Sequence, residues 1–592
     1  MKKLLILTLG FLLIFSDAVI AQKLVIMHTN DMHSRITGYG PELFYTPEIV
    51  NNDKTLGGFA RLAAIIDEQK AQNPNSLLVL DDGDFMMGTI FHALEPETGF
   101  EINLMKQIGY DAVTLGNHEF DFGPEALADM ISSAQKRGGA PQFVASFLQF
   151  SEQSGDDKLQ KLYDNGAIKP YTIIEKNGLK IGIFSVLGKD AQNDIKFAKP
   201  LQFADPVKTA KYYTKLLRDK EKVDIVICLS HSGVVPSEKG GFEGEDIDLA
   251  KKVKDIDIII SGHTHVVTPH YLQVGKTIIV QTGAYLHDVG RLEINYDNGK
   301  VSVTDFKLIP LDDKIKGDEK INKEVDAFKA RINKEILSQF GLSYNQKIAE
   351  AHFDMKLSSH EYPHASTMGN LISDAVKYYV DTYSSGTDVV LTANGVIREG
   401  IYEGPQTAPD AFRIMSLGFG KDDYLGYPLV KIYITGLELK KLMELSIMSN
   451  EPGSDKYLYY SGIKVYYDPK GGFLNKVRKM EVNGQEVDFS KKSTKLYSLT
   501  TDIYIMNFIG EIKKMSYGLI KIVPKDSKGE AITDFNKYIL DFDKNKPGIQ
   551  EGKQWLGLIK YMQTFKDTDG NGIPDIPEKY KTFYNLFIPL QK

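Results

Sequence analysis

The sequence predicts two successive α/β units joined by a helix. Three observations carry this reading. From Lys23 to about Pro310, short Val- and Ile-rich runs alternate with segments of helical period. An amphipathic stretch then covers residues 318–341, and a second set of strand, helix and hairpin signals runs from about 345 to 545. A chain of 592 residues also exceeds what one hydrophobic core fills, so two large domains are expected.

The first segment, "MKKLLILTLGFLLIFSDAVIAQ", opens with Lys2 and Lys3, continues through an apolar Leu4 to Phe15, and offers small residues before a cut after Ala21. The apolar core is too short to span a bilayer, so residues 1–21 read as a secretory signal. No later segment is long and apolar enough to span, which predicts an exported protein, periplasmic or secreted. Cys228, the single cysteine, lies inside "VDIVICLS" and reads as a small core residue. A formal net charge of −7 leaves no basic footprint for a nucleic acid polymer, while a small anionic substrate remains compatible with a local cation.

The strand runs are "KLVIM", "SLLVL", "DAVTL", "FVAS", "KIGIFSV", "VDIVICLS", "IDIIIS" and "TIIVQTG". Several lack polar alternation, as strands buried on both faces do. "GGFARLAAIIDEQKAQ" and "FEINLMKQIG" fit helices between them, which argues a layered α/β domain over residues 22–317. In residues 318–344, Ile321, Val325, Phe328, Ile332, Ile336 and Phe340 recur every three or four positions, one amphipathic helix closed by Gly341. It is read as the connector. Residues 345–550 carry a helix near "TMGNLISDAVKYYV", strands "DVVLTA" and "LVKIYITG", and a tight-turn signal at Asn483-Gly484. Residues 551–592 are expected as a tail.

Five strand ends carry polar, metal-capable side chains. They are "HTNDMHSR" with Asp31 and His33, "DDGD" with Asp81, Asp82 and Asp84, "GNHEFD" with Asn117, His118, Glu119 and Asp121, "SHSG" with His231, and "GHTH" with His263 and His265. Any one alone reads equally well as a turn or a solvated group; Asp82 and Glu119 in particular could face water. Five together point to one cation-binding edge, because the carboxyl end of the strands is where open α/β sheets bind ligands. An Asp-x-His pair following a strand is expected to send both side chains to one side. Gly262 is expected to let the backbone turn tightly and approach a cofactor.

These motifs, in this order, resemble the calcineurin-like metallophosphatases, and more narrowly the secreted 5'-nucleotidase and UDP-sugar hydrolase branch. The resemblance covers residues 23 to 300 with specific motifs and continues more weakly through about 345 to 530. It implies a four-layer αββα domain followed by a 5'-nucleotidase-type α/β substrate domain, with the linking helix as a hinge. It implies two divalent transition metals of the Zn, Mn or Fe class. Asp31, His33 and His265 would hold the first, Asn117, His231 and His263 the second, and Asp84 would bridge them. Imidazole, carboxylate and amide oxygen suit such metals. Two cations clamp the attacking and leaving oxygens of an in-line displacement and acidify a water between them. His118 and Asp121 match the catalytic dyad, in which the imidazolium stabilises phosphoryl charge or assists the leaving oxygen. His28 matches a loop-orienting position.

In the second unit, "TMGNLISDA" and "LTANGVIR" match segments of the substrate domain. Arg398 keeps the arginine expected to meet phosphate or carboxylate. Ala393 stands where the family has asparagine, and Asn394, one place later, is the candidate substitute. Phe419 and Tyr504 are the candidate aromatics for a base sandwich, with Leu417 competing for the first place. "NFIGE" replaces the Gly-Gly-Asp-Gly that grips ribose in relatives. The tail motif "DTDGNGIPDIPE" places Asp567, Asp569, Asn571, Asp575 and Glu578 in a calcium-loop pattern, with prolines that resemble thrombospondin type 3 loops more than an EF-hand; it predicts a structural calcium ion.

The expected function is dinuclear-metal phosphoester hydrolysis, with nucleoside 5'-monophosphates as substrates and UDP-sugars as further candidates. The competing readings are a phosphatase or pyrophosphohydrolase for a non-nucleotide substrate, and a non-catalytic exported binding protein on the same scaffold.

Overall fold

The computed structural model describes residues 22–358, 364–422, 424–448, 453–454, 456–508 and 520–590. The signal segment expected at 1–21, and Ile509 to Glu511 of "NFIGE", lie outside the described residues.

Residues 22–310 form two stacked sheets. Seven strands order as Lys300–Pro310, Asp288–Asp297, Gln22–Thr29, Leu77–Asp81, Ala112–Val113, Gln142–Val144 and Ile168–Lys169. Six strands order as Leu272–Val274, Thr277–Val280, Ile258–Ser261, Ile225–His231, Leu179–Leu187 and Tyr171–Lys176. The missing polar alternation now has its cause. In Gln22–Thr29, Leu24 and Ile26 face the second sheet, whereas Val25 and Met27 face the outer helices. In Ile225–His231, Ile225 and Ile227 face the first sheet, and Val226 and Cys228 face the helices behind. Each sheet is buried on both sides, giving the four αββα layers. Cys228 is buried and unpaired in that outer layer.

The edge that carries the polar motifs follows from register. Gln22–Thr29, Leu77–Asp81 and Ala112–Val113 are parallel, with Thr29 opposite Asp81 and Asp81 opposite Val113. In the other sheet, Ser230 lies opposite Ser261. All five motif-bearing loops therefore leave from the same edge, three from one sheet and two from the other.

The stretch 318–341 is not one continuous helix. Glu319–Glu335 is α-helical; Ile336 caps it with φ stretched to −114°, and a 3-10 turn, Leu337–Phe340, follows. The break serves two surfaces. Phe328 stacks on Phe100 at 3.9 Å in the first unit, and Phe340 meets Trp555 at 5.4 Å in the second.

In the second unit, helix Thr367–Tyr383 covers a four-stranded sheet ordered Leu429–Thr435, Leu496–Asp502, Val389–Ala393 and Leu458–Ser461. Asn483 and Gly484 have φ of 51° and 75°, the left-handed pair that a two-residue hairpin turn requires. The expectation of a tail from 551 gives way to an integral part of this unit. Helix Gln554–Met562 buries Trp555, whose indole N–H donates to the Leu425 carbonyl at 3.0 Å. Strand Phe587–Pro589 pairs with Ile463–Gly472, and Asp374 accepts hydrogen bonds from Tyr580 and Tyr584. The aromatic content of these residues supplies a core that the acidic motif beside them obscured.

Candidate metal centre

Among the described residues, four convergent groups of donor atoms meet this edge: Asp31 with His33 and His265, His33 with Asp84 and His118, Asp84 with His231 and His263, and, at its outer side, His263 with Asp190 and Asp194. Asp84 belongs to two of them, and its neighbours reach across both sheets. His231 Nε2 lies 3.1 Å from Asp84 Oδ2 and 3.2 Å from Asn117 Oδ1.

The backbone that presents these groups is strained. Asp31, His33, Asp84, His263 and His265 all have φ between 50° and 75°, although none is glycine. A left-handed residue of this kind costs roughly 1–2 kcal/mol, and such costs gather at functional sites. This replaces the expected strand alternation for Asp31 and His33: the strand stops at Thr29, and the two side chains are aimed by left-handed turns. Gly262 likewise needs no left-handed φ. A Cβ there would stand 2.7 Å from Asp82 Oδ2 and 3.2 Å from Asp31 Oδ2. Its smallness makes room for carboxylates.

The loops are held by residues that the motif reading undervalued. Asn30 donates to Asp31 Oδ2 at 2.7 Å and to the Gly283 carbonyl at 2.6 Å, and accepts from the Thr282 N–H at 2.9 Å. Glu119 is buried and accepts from the N–H groups of Asp84, Met86 and Gly116 at 3.0, 3.1 and 2.6 Å. Asp82 is buried too, so neither carboxylate faces water. His28 does not orient the loop through polar contacts, because both its ring nitrogens are buried without a hydrogen-bond partner and the ring fills the space above Gly290. Burial drives its pKa down to about 3.

The donor set fits cations on its own geometry. His33 Nδ1 faces the Met87 carbonyl at 2.9 Å, and His231 Nδ1 faces the Asp82 carbonyl at 2.9 Å. A carbonyl only accepts, so each ring carries a proton on Nδ1 and turns Nε2 to the centre. Burial would lower the His231 imidazole, but the Asp84, Asp31 and Asp82 carboxylates hold its pKa well above normal, so that a proton on Nε2 stands between carboxylate and amide oxygens where a cation would otherwise sit. Burial lowers the His33 and His265 proton affinities well below normal, which keeps both rings neutral. Burial would raise the Asp84 carboxyl, but His231 and His118 outweigh it and hold Asp84 well below the usual carboxylate range.

His118 Nδ1 lies 2.7 Å from Asp121 Oδ2, and the His118 N–H donates to Asp84 Oδ1 at 2.8 Å. Burial alone would lower this imidazole; the Asp121 and Asp84 carboxylates prevail and push it up to about 9. The ring sits 5.3 Å from that of His33, at the lip of the centre.

Arg398 reaches the same place from the second unit, close enough for its charge to act on His33, His118 and His265. Phe419 is 41% exposed and meets Phe122, the neighbour of Asp121, edge-on at 5.2 Å. Tyr504 stacks on Tyr427 at 5.2 Å and 16°. Phe122 comes with Asp121 on the same loop, and only the docking of the second unit sets Phe419 against it and brings Tyr427, which had no sequence signal. Asn394 is turned inward: its amide donates to the Ser358 carbonyl at 2.9 Å and accepts from the Tyr459 hydroxyl at 3.2 Å.

The acidic loop is organised by its own backbone. Asp567 accepts from the N–H groups of Gly570 and Gly572, Asp569 from Asn571, and Glu578 pairs with Lys581 at 3.7 Å. The donors that converge there are Asp569, Asp575 and His352, a histidine that the motif did not include.

Two family models match this chain: calcineurin-like phosphoesterase over residues 24–267, and 5'-nucleotidase, C-terminal domain, over residues 347–514. The trifunctional nucleotide phosphoesterase protein YfkN of Bacillus subtilis is 26% identical over 518 residues, 82% of this chain; the chain spans only 32% of that longer relative. The 5'-nucleotidase of Diplobatis ommata is 26% identical over 525 residues, 82% of each chain. A solved 5'-nucleotidase precursor from Thermus thermophilus shares the fold with a TM-score of 0.67 at 20% identity, over 96% of this chain and 100% of its own.

Proposed function

We infer that this chain, a calcineurin-like phosphoesterase continuing into a 5'-nucleotidase C-terminal domain, releases phosphate from nucleoside 5'-monophosphates. That it is a phosphoric ester hydrolase follows from its family; the nucleotide is our reading. What supports it is the Asp84-centred donor cluster together with the second unit's approach to it: Arg398, whose charge acts on His118, and Phe419, edge-on against Phe122 beside Asp121.

In this reading Asp31, His33 and His265 would hold one divalent cation, Asn117, His231 and His263 would hold a second, and Asp84 would serve both. When bound, such a pair supplies Lewis acidity toward phosphoryl and water oxygens. The chain's own groups do the rest. His118, kept protonated by Asp121, donates a hydrogen bond or a proton toward the phosphoryl group, work worth about 10²–10⁴ in rate. Arg398 binds the anionic substrate with its planar fork. Phe419 and Tyr504 provide aromatic surface for the base. The apolar leader at 1–21 supports export, and no helix among the described residues is long and apolar enough to cross a membrane. The loop at 567–578 is proposed to take a structural calcium ion; a rise in melting temperature with calcium, abolished in Asp569→Ala, tests it.

One observation favours the rival substrate class. Asn394 spends its amide on Ser358 and Tyr459, so it does not supply the polar contact that the family asparagine gives, and a lost polar contact shifts discrimination strongly. Turnover of AMP, UDP-glucose and p-nitrophenyl phosphate by purified protein with Zn or Mn add-back decides. AMP favoured over the aryl ester supports the nucleotidase. Cleavage of the aryl ester alone removes it and leaves a phosphatase of another substrate.

A further inference from the structure

A buried charge network ties the two units together beside the metal centre. Arg35, two residues after His33, sends Nη2 to Glu399 Oε2 at 2.7 Å, with side chains 1% and 2% exposed. The guanidinium lies beside the stacked rings of Tyr39 and Tyr285, whose centres are 5.6 Å apart, at 4.8 and 4.9 Å from them. Glu399 also lies 3.1 Å from Arg413 Nε, and Arg413 reaches Glu42 at 3.1 Å. Lys329 Nζ, from the connecting helix, meets Glu42 at 3.1 Å. With Asp410 beside Arg413, three cations face three anions drawn from the first unit, the connector and the second unit. A buried pair of this kind adds little net stability over an apolar contact, but breaking it leaves an uncompensated charge, so it enforces one arrangement.

That arrangement concerns Arg398. Glu399 is its chain neighbour. On the other side, the Tyr285 hydroxyl donates to the Arg398 carbonyl at 3.3 Å, and the Tyr285 ring lies 5.4 Å from both His33 and His265. The backbone at 398 and 399 is thus gripped twice by groups that wall the metal centre. The stacked tyrosines hold Arg35 so that it faces Glu399, and Glu399 cannot move without dragging Arg398.

We propose that Arg35 and Glu399 are positioning residues: their buried ion pair, with the Tyr285 hydroxyl, fixes Arg398 against the metal centre and thereby sets affinity for the anionic substrate. This rests on the substrate-binding role given to Arg398 above.

The test is a double-mutant cycle on the metal-loaded full chain, reading kcat and KM for AMP or, if AMP is not turned over, p-nitrophenyl phosphate. Arg398→Ala should raise KM about 10–100-fold, as expected for loss of a charge-assisted hydrogen bond. Glu399→Gln should raise KM about tenfold with kcat and metal content nearly unchanged, and should add nothing to Arg398→Ala, because coupled residues are non-additive. KM effects that multiply, or a loss confined to kcat or metal content, overturn the proposal. Tyr285→Phe removes a single hydroxyl and gives a second cycle should Glu399→Gln not fold. It should raise KM severalfold in the parent and not in Arg398→Ala; an unchanged KM in the parent overturns the proposal. A parent that cleaves neither ester with Zn or Mn refutes the proposed function, and this inference with it. In an active parent, additivity refutes the positioning role alone.

Discussion

His33 and His265, 232 positions apart in the chain, bring their Nε2 atoms within 2.9 Å of each other. One comes from the loop after the first strand of the seven-stranded sheet, the other from the six-stranded sheet. His33 is anchored through Nδ1 on the Met87 carbonyl, so its lone pair is turned toward its partner by the fold and not by chance.

Metal dependence follows. Protein dialysed against a strong chelator should lose turnover, and Zn or Mn should restore it. His265→Ala should weaken binding of one metal equivalent while leaving the other, as measured by metal analysis after gel filtration. Equal stoichiometry and affinity in parent and variant would remove His265 from the site.

The dyad predicts a pH effect with a definite sign. The His118 pKa is raised, to about 9, by Asp121 and Asp84 against burial, so the imidazolium persists through neutral pH and is lost as pH rises through that value. Asp121→Asn deletes the nearer carboxylate, and the alkaline limb of the kcat profile should move to lower pH. His118→Ala should lower kcat about 10²–10⁴-fold. An unmoved alkaline limb, or full activity in His118→Ala, contradicts the assignment.

Gly116 lies where a Cβ would come within 2.2 Å of Asp84 Oδ1 and 2.7 Å of His231 Cε1. Gly116→Ala should therefore displace the shared carboxylate and weaken metal binding roughly 10–100-fold, the scale seen when groups behind metal ligands are altered. Titration with Zn against a chromophoric chelator measures it.

His28 predicts acid sensitivity. Burial depresses its folded pKa to about 3, below the ordinary 6.5 of an unfolded chain. The stability it contributes is present above pH 6.5 and is lost as pH falls from there toward 3, because the unfolded state binds the proton first. Between pH 7.5 and 5 the parent should lose about 2 kcal/mol from this one group. His28→Gln should show a correspondingly flatter fall in melting temperature over that interval.

The sequence by itself determined the layered fold and the composition of the donor cluster, because both are written locally. A strand buried on both faces must be apolar at every position, as Leu24 to Met27 are, and polar groups such as Asp31, Asp84 and His231 can survive beside it only at its end. What only the tertiary structure decided were the relations between segments far apart in the chain. The α-to-3-10 break at Ile336, the burial of Trp555 in a supposed tail, the inward turn of Asn394 and the pair Arg35–Glu399 each depend on which surface docks against which. A lone glutamate after Arg398 carries no mark that an arginine 364 positions earlier will help neutralise it; that pairing exists because desolvation at the interface of the two units leaves the Glu399 charge no water, only the cations Arg35 and Arg413 that the docking brings to it.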